Sequence, residues 1–443
     1  MNKRKAIIIA LAAAIVLTLS GVQIYRLVMR TQAEQMIERG DYEGARAVFE
    51  RYGSESDTAR CDALMLERTY QEALALLETG DYAAAEQIFE QIADYKDAKD
   101  RLSDCDMLRA QALTEEGRLI EARKVYLSLG DRPGCAQALD ELNELMYARA
   151  YELASSFEMK EACELWQALG SYADSPLLLE RARRIIDWSS RTGADRLTDA
   201  SKAFTLNGKP MKFDTADVYA NDACYIVVPK DCGADMTFFL YYPGGRNEEI
   251  SVDFLLYYLM NPSDNTIAVF LRKNGLDDME KKCSEGIELL ERAAAENGFF
   301  VREIVQGGSS LGAYPAMHGV IYAYENYRIE TSCVLSLDAG SDWLEVPLLL
   351  TEEECAKTAA LGVPFYLFES PWVGMNREGI VRMVNAGNEV IMVGCTFDDH
   401  TRITLDAMGM GVVKWATGER SKPINPEIYT FTRLEPEKQA AQH

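Results

Sequence analysis

The chain has 443 residues, 48% of them apolar and 26% charged, proportions that describe a globular protein and exclude a disordered one. At this length two or three cores are expected, not one. A formal charge of −24 excludes a nucleic-acid binder, which needs a basic surface to displace counterions; it speaks for solubility and not for fold.

The N-terminus opens Met1-Asn-Lys-Arg-Lys5 and then runs uncharged from Ala6 to Ile24. As a helix this run is about 28 Å long, close to the roughly 30 Å of a bilayer's hydrocarbon core. Basic residues lead the span and only Arg26 and Arg30 follow it, an asymmetry that puts the N-terminus inside and the bulk of the chain outside. A cleaved signal peptide begins in the same way. However, no small-residue cleavage site closes the run, which passes into Tyr25-Arg-Leu-Val-Met29. The expectation is an uncleaved, single-pass anchor over residues 1–30, with the rest of the chain extracytoplasmic in a bacterial envelope.

From 31 to 187 the chain repeats itself. Gly40-Asp-Tyr-Glu-Gly-Ala-Arg-Ala-Val-Phe-Glu50 is echoed by Gly80-Asp-Tyr-Ala-Ala-Ala-Glu-Gln-Ile-Phe-Glu90, and more weakly by Gly117-Arg-Leu-Ile-Glu-Ala-Arg-Lys-Val-Tyr126 and Met159-Lys-Glu-Ala-Cys-Glu-Leu-Trp166. Ala45, Ala85, Ala122 and Ala162 fall 40, 37 and 40 residues apart, a period that marks paired helices stacked in a solenoid. Gly-Asp-Tyr makes the turn, the alanine lets two helices approach, and the aromatic four residues later fills the groove. This half resembles tetratricopeptide-like repeats, although the period is longer than the usual 34. The resemblance implies either a spacer or a groove for a protein partner, and the residues do not choose between them.

Beyond Trp188 the texture changes, with a linker expected over 188–213. Short β-branched and aromatic runs then alternate with helical stretches. Strands are expected at 223–228, 236–242, 266–272, 299–306, 331–337, 365–369 and 389–394, with helices at 250–259, 280–296, 312–324, 352–361 and 377–386. Such alternation implies an α/β domain with a mostly parallel sheet covered on both faces, here over 214–430, followed by a disordered tail at 431–443. Sites in such sheets form at the carboxyl ends of strands.

Gln306-Gly-Gly-Ser-Ser-Leu-Gly-Ala-Tyr314 contains G-x-S-x-G at 308–312, after an expected strand and before an expected helix. That is the setting in which a nucleophilic serine sits on a sharp strand-to-helix turn, and it makes Ser310 the candidate. A general base for it must come from three histidines. His443 is terminal. His318 lies eight residues further along the same helix, about 12 Å away and beyond the reach of a base, so it reads as a structural histidine. His400, in Gly394-Cys-Thr-Phe-Asp-Asp-His-Thr401, follows the last strongly apolar strand and is the candidate base.

On Tyr241-Tyr-Pro-Gly-Gly245, the turn at 308–312 and Asp-Asp-His400, residues 214–420 resemble the α/β-hydrolase superfamily, esterase-like members in particular. The resemblance implies an oxyanion hole from the Leu311 N–H and an N–H at Gly245 or Arg246, although Tyr-Pro replaces the family's leading histidine and Pro-Gly-Gly is equally a plain turn. It also implies an acid between serine and histidine. Val373 falls near the usual aspartate position. Glu369 at a strand's carboxyl end is the candidate and Asp338 the alternative; Asp398 and Asp399 could orient His400 locally or cap the segment after it. Trp372, Tyr314 and Trp343 are possible pocket walls and equally core aromatics.

Ten cysteines form no CxxC and no metal-ligand spacing, so they read as small core fillers. No metal or other cofactor is expected. The leading expectation is a membrane-anchored extracytoplasmic serine hydrolase cleaving a small-molecule or envelope ester through an acyl-enzyme. The other is a non-catalytic envelope scaffold whose repeats bind a protein partner while the hydrolase-like domain is inactive.

Overall fold

The computed structural model describes residues 3–190 and, between 198 and 436, all but 200–204, 207–208, 211–212, 214, 221–222, 234, 245–254, 256–257, 260–264, 273–278, 338–349, 370–376, 397–399, 419 and 421. It is a helical N-terminal part followed by a mixed sheet with helices. The chain divides into two compact units, Met1–Leu145 and Met146–His443.

The first unit contains α1 (Lys3–Glu38), α2 (Tyr42–Tyr52), α3 (Glu55–Glu78), α4 (Tyr82–Gln91), α5 (Ala98–Glu115) and α6 (Leu119–Leu129), and α7 (Cys135–Ser155) crosses the boundary. Within α1, Ile7–Glu38 is long and apolar enough to cross a membrane, with a mean hydropathy of 2.5 in its most apolar window; a signal sequence shares that character. The repeated turns follow from their residues. Gly40 and Gly80 take φ +79° and +83°, the left-handed conformation that ends a helix without a Cβ penalty. Asp41 and Asp81 then cap the next helix, accepting from the Gly44 and Ala84 N–H groups. In the weaker copies Arg118 and Glu158 stand at that place with no side-chain cap. Ala45, Ala85, Ala122 and Ala162 are all 0% exposed, and Phe49, Phe89, Tyr126 and Trp166 are buried with them.

The last helical pair, α8 (Met159–Leu169) and α9 (Ser175–Ser190), belongs to the second unit. Contacts therefore do not thin out at Trp188, where the composition changes, but earlier, inside α7. The reason is Arg181. Its guanidinium is fully buried, pairs with Glu291 at 2.5 Å, and donates to the Tyr327 and Val301 carbonyls. It also lies over the Phe300 ring, beside Tyr151 and Trp166.

The sheet is built from β1 (Thr198–Asp199), β4 (Ala216–Ala220), β5 (Cys224–Pro229), β6 (Thr237–Tyr242), β7 (Thr266–Leu271), β8 (Glu303–Ser309), β9 (Glu330–Leu337), β10 (Phe365–Glu369), β11 (Val390–Cys395) and β12 (Tyr429–Arg433), with β2 (Thr205–Leu206) and β3 (Lys209–Pro210) as a separate hairpin. The spatial order is β1-β4-β5-β7-β6-β8-β9-β10-β11-β12. The strands from β7 to β11 pair in parallel, and both ends of the sheet are antiparallel. The described helices of this part are α10 (Met279–Glu296), α11 (Ala313–Tyr327), α12 (Glu352–Leu361), α13 (Arg377–Asn385), α14 (His400–Gly409) and α15 (Val412–Thr417). Alternate residues of the buried strands enter two separate apolar clusters, Ile226 and Val228 in one, Tyr225 and Val227 in the other. The sheet is thus covered on both faces, as parallel strands require.

Three differences from the sequence reading have physical causes. The strand expected from Phe299 begins at Glu303, because Phe300 is buried against Tyr151 and Trp166 and not in the ladder. Thr198 and Asp199, in the stretch expected as a linker, pair with Ala220 and Tyr219. Tyr429–Arg433, which overlaps the expected tail, is an edge strand on β11. Seven of the ten cysteines are buried, and Cys163, Cys395 and exposed Cys232 are the others.

Candidate active site

From β6 the chain crosses to β7 on one side, and then returns to place β8 on the other side of β6. Connections leaving β6 and β8 at their carboxyl ends therefore diverge. Such a switch point opens the crevice in which α/β sheets bind ligands. The register sets Tyr242 opposite Gly308, so Pro243-Gly244 and Ser309-Ser310 leave the sheet side by side.

Ser310 lies at that switch point in a conformation few residues tolerate. Its φ is +49°, and a non-glycine residue there costs about 1–3 kcal/mol and persists only where its surroundings enforce it. They do enforce it. β8 ends at Ser309, a single 3₁₀ turn spans Ser310–Gly312, and α11 starts at Ala313. A Cβ on Gly308 would lie 2.0 Å from the Gly312 carbonyl oxygen, and one on Gly312 would lie 2.1 Å from that of Tyr242. Only glycine permits the chain to reverse so tightly against its own backbone and against the end of β6. Ser310 is half-buried, and Leu311 beside it packs on the apolar core.

The neighbouring serine has a different task. Ser309 is 2% exposed, and its Oγ accepts from the Gly244 N–H at 3.1 Å. A Cβ on Gly244 would come within 2.9 Å of the Ser310 Cβ, so the loop after β6 is tied directly to the turn after β8. Beneath them lie the Tyr241 and Tyr242 rings, both fully buried. Burial pushes the Tyr241 phenol up, and the Ser309 hydroxyl opposes that shift. The G-x-S-x-G frame singled out Ser310, but nothing in the sequence gave Ser309 its tie to Gly244. The signal for Gly244 was its place in the Pro-Gly-Gly run, which left the loop and the plain turn open.

The remaining site residues fall as follows. Glu369 ends β10 half-buried, and its carbonyl faces the Cys395 thiol. His400 opens α14, after β11 has ended at Cys395. Because β8, β10 and β11 are parallel, Ser310, Glu369 and the start of α14 follow carboxyl ends at one edge of the sheet. The His400 side chain, Asp338, Gly245, Arg246, Trp343, Trp372, Val373, Asp398 and Asp399 lie outside the described residues. Tyr314 is 0% exposed, inside the core. His318 sits on α11 with Nδ1 2.8 Å from Glu354 Oε1. Burial would raise the Glu354 carboxyl, yet the Thr351 N–H and His318 outweigh it and hold the group below its ordinary value. His318 is thus paired away from the turn. Among the described residues no cluster of three or more His, Cys, Asp or Glu could hold a metal ion.

No family model and no curated protein matches the sequence. Solved structures similar to it include ESTFA in an Fe-lacking apo form, at 13% identity and a TM-score of 0.32, covering 59% of this chain and 97% of that one. An ester hydrolase from the metagenome of Lake Arreo, bound to a bipyridine phosphonate derivative, is also 13% identical with a TM-score of 0.32, covering 59% and 96%. Naproxen esterase from Bacillus subtilis is 9% identical with a TM-score of 0.31, covering 55% and 98%.

Proposed function

We propose that the second unit is a serine hydrolase of the α/β-hydrolase kind that cleaves a carboxylic ester, held at the outer face of the membrane by α1. The observation that carries this reading is the +49° φ of Ser310 between β8 and α11, because a strained strand–turn–helix serine with glycine on both sides is the setting of an exposed nucleophile. In this reading Ser310 Oγ attacks the ester carbonyl, and His400 takes its proton and returns it to the leaving alcohol. Glu369 orients the imidazole, with Asp338 as the alternative acid. The Leu311 N–H and an N–H at Gly245 hold the oxyanion, each contributing about 3–4 kcal/mol to the transition state. Water then releases the acyl group by the same steps. The chain order of serine, acid and histidine is the order these hydrolases use.

The helical pairs of the first unit are read as a tetratricopeptide-like solenoid, supported by the recurring buried alanine and aromatic. It acts as a stand between membrane and enzyme or as a groove for a protein partner. The detergent-solubilised full-length chain should hydrolyse short p-nitrophenyl esters, and Ser310→Ala should lower kcat/KM by about a thousandfold or more. Folded wild type without esterase activity, or activity surviving Ser310→Ala, would leave the scaffold reading in its place.

A further inference from the structure

The apolar surface of α1 does not stop where the uncharged run stops. Ile24, Leu27 and Val28 are 63%, 66% and 48% exposed, so the apolar face extends one turn past Ile24. Yet the first repeat is already beside it. The Tyr52 ring meets the Tyr25 ring edge-on at 5.5 Å, and Arg30 pairs with Asp57 of α3 at 2.9 Å. Ala33, about 14 Å beyond Ile24 along the helix, is fully buried in a cluster with Ala45, Phe49 and Cys61. α1 is unbroken from Lys3 to Glu38, so span and first repeat helix are one rod with no linker between them.

The turn between α2 and α3 is drawn tight at this level. A Cβ on Gly53 would lie 2.7 Å from the Phe49 ring and 2.8 Å from its carbonyl oxygen, which holds Tyr52 and Ser54 close against the helix pair. Arg26, one residue past Tyr25, and Arg51, in the last turn of α2, are exposed and have no ion-pair partner among the described residues. Exposed apolar residues, two tyrosines and two unneutralised arginines at the end of an apolar span match the chemistry of a membrane interface. Aromatic rings there lie at the headgroup level and cations meet lipid phosphates.

We propose that the Tyr52-Gly53-Ser54 turn, with Tyr25, Arg26 and Arg51, is a seat that rests the first repeat directly on phospholipid headgroups. The inference rests on the reading of α1 as a membrane anchor. A bilayer covering Leu27 and Val28 cannot avoid the turn packed at the same height, so the repeat array is set on the membrane and not tethered above it. The occupant is the phosphate layer of the lipid, not a second chain, because Arg26 and Arg51 put two unpaired cations at the end of the apolar span in a protein of charge −24, against one unpaired carboxylate at the turn, exposed Glu55.

The test uses the full-length chain in phosphatidylglycerol-containing vesicles, with photoactivatable p-benzoylphenylalanine replacing Val16, Tyr52 or Leu127 in turn. Val16 lies mid-span, and Leu127 is 51% exposed on α6. On illumination positions 16 and 52 should form lipid adducts and position 127 should not. Combining Arg26→Gln with Arg51→Gln should lower the adduct yield at 52 about fivefold, while leaving position 16 unchanged. Lipid adducts at 16 with only protein adducts, or none, at 52 would overturn the seat and leave the anchor standing. No lipid adduct at 16 would overturn the anchor and the seat with it. Labelling at 127 as strong as at 52 would show lipid adhering everywhere and would equally overturn a defined seat.

Discussion

Arg181 offers the sharpest test of how the second unit is held together. Its guanidinium and the Glu291 carboxylate are both 0% exposed, and it donates further to the Tyr327 and Val301 carbonyls. Arg181→Ala leaves Glu291 as an uncompensated charge in the interior, a loss of about 3–5 kcal/mol, and strips two carbonyls of a donor. Against a total stability of about 5–15 kcal/mol, a cost near 4 kcal/mol brings the unit close to its threshold. With an m-value of about 3 kcal/mol/M in urea, the unfolding midpoint should drop by roughly 1.3 M. Tryptophan fluorescence reports the transition, since Trp166 packs beside Phe300 at this place. The double variant Arg181→Met with Glu291→Leu replaces both charges by apolar volume, and should recover to within about 2 kcal/mol of wild type. A single variant costing less than about 1 kcal/mol, or a double variant no better than the single, would refute the argument.

Gly312→Ala should leave the second unit unfolded or aggregated on gel filtration, because its Cβ meets backbone, not a movable side chain. In the first unit, Ala85→Leu overfills a fully buried contact and should cost about 1–3 kcal/mol in thermal unfolding, whereas exposed Ala83→Leu should stay within about 0.5 kcal/mol. Glu354 is held below its ordinary pKa, so its stabilisation is present above an unfolded value of about 4.3 and lost as pH falls towards the folded one. Glu354→Ala should therefore lower Tm by about 2–4 °C at pH 6 through loss of the α12 capping box, and flatten the profile below pH 4.5. An unchanged profile would show that this carboxylate is not coupled to folding.

Much of the architecture was legible because the determining interactions are local or periodic. The alanine and aromatic of each repeat sit at fixed offsets from the turn, which reads Gly-Asp in the first two copies, so Ala85 and Phe89 could be assigned to a groove without coordinates. The central strands were legible because burial on both faces leaves continuous apolar runs such as Thr266–Leu271. The strands near the two ends of the sheet were not: Ala216–Ala220 and Tyr429–Arg433 are half-exposed and mix apolar with polar residues. Phe300 misled for the opposite reason, because its ring packs on Tyr151 of α7, Trp166 of α8 and the Arg181 guanidinium of α9, all far away in sequence. At the site, G-x-S-x-G pointed to the turn, but the pattern does not encode the bond from the Gly244 N–H to Ser309, which joins residues 65 apart. His318 was legible as structural by helix geometry alone, and its pairing with Glu354 gives the reason in detail.

The central claim is that Ser310 is an activated nucleophile, and covalent labelling tests it most directly. The folded chain, incubated with a fluorophosphonate and digested, should carry the phosphonyl group on the peptide containing Ser310. Labelling should vanish in Ser310→Ala and His400→Ala but persist in His318→Asn. A folded protein that takes no label, or one labelled on Ser309 or elsewhere, would contradict the account.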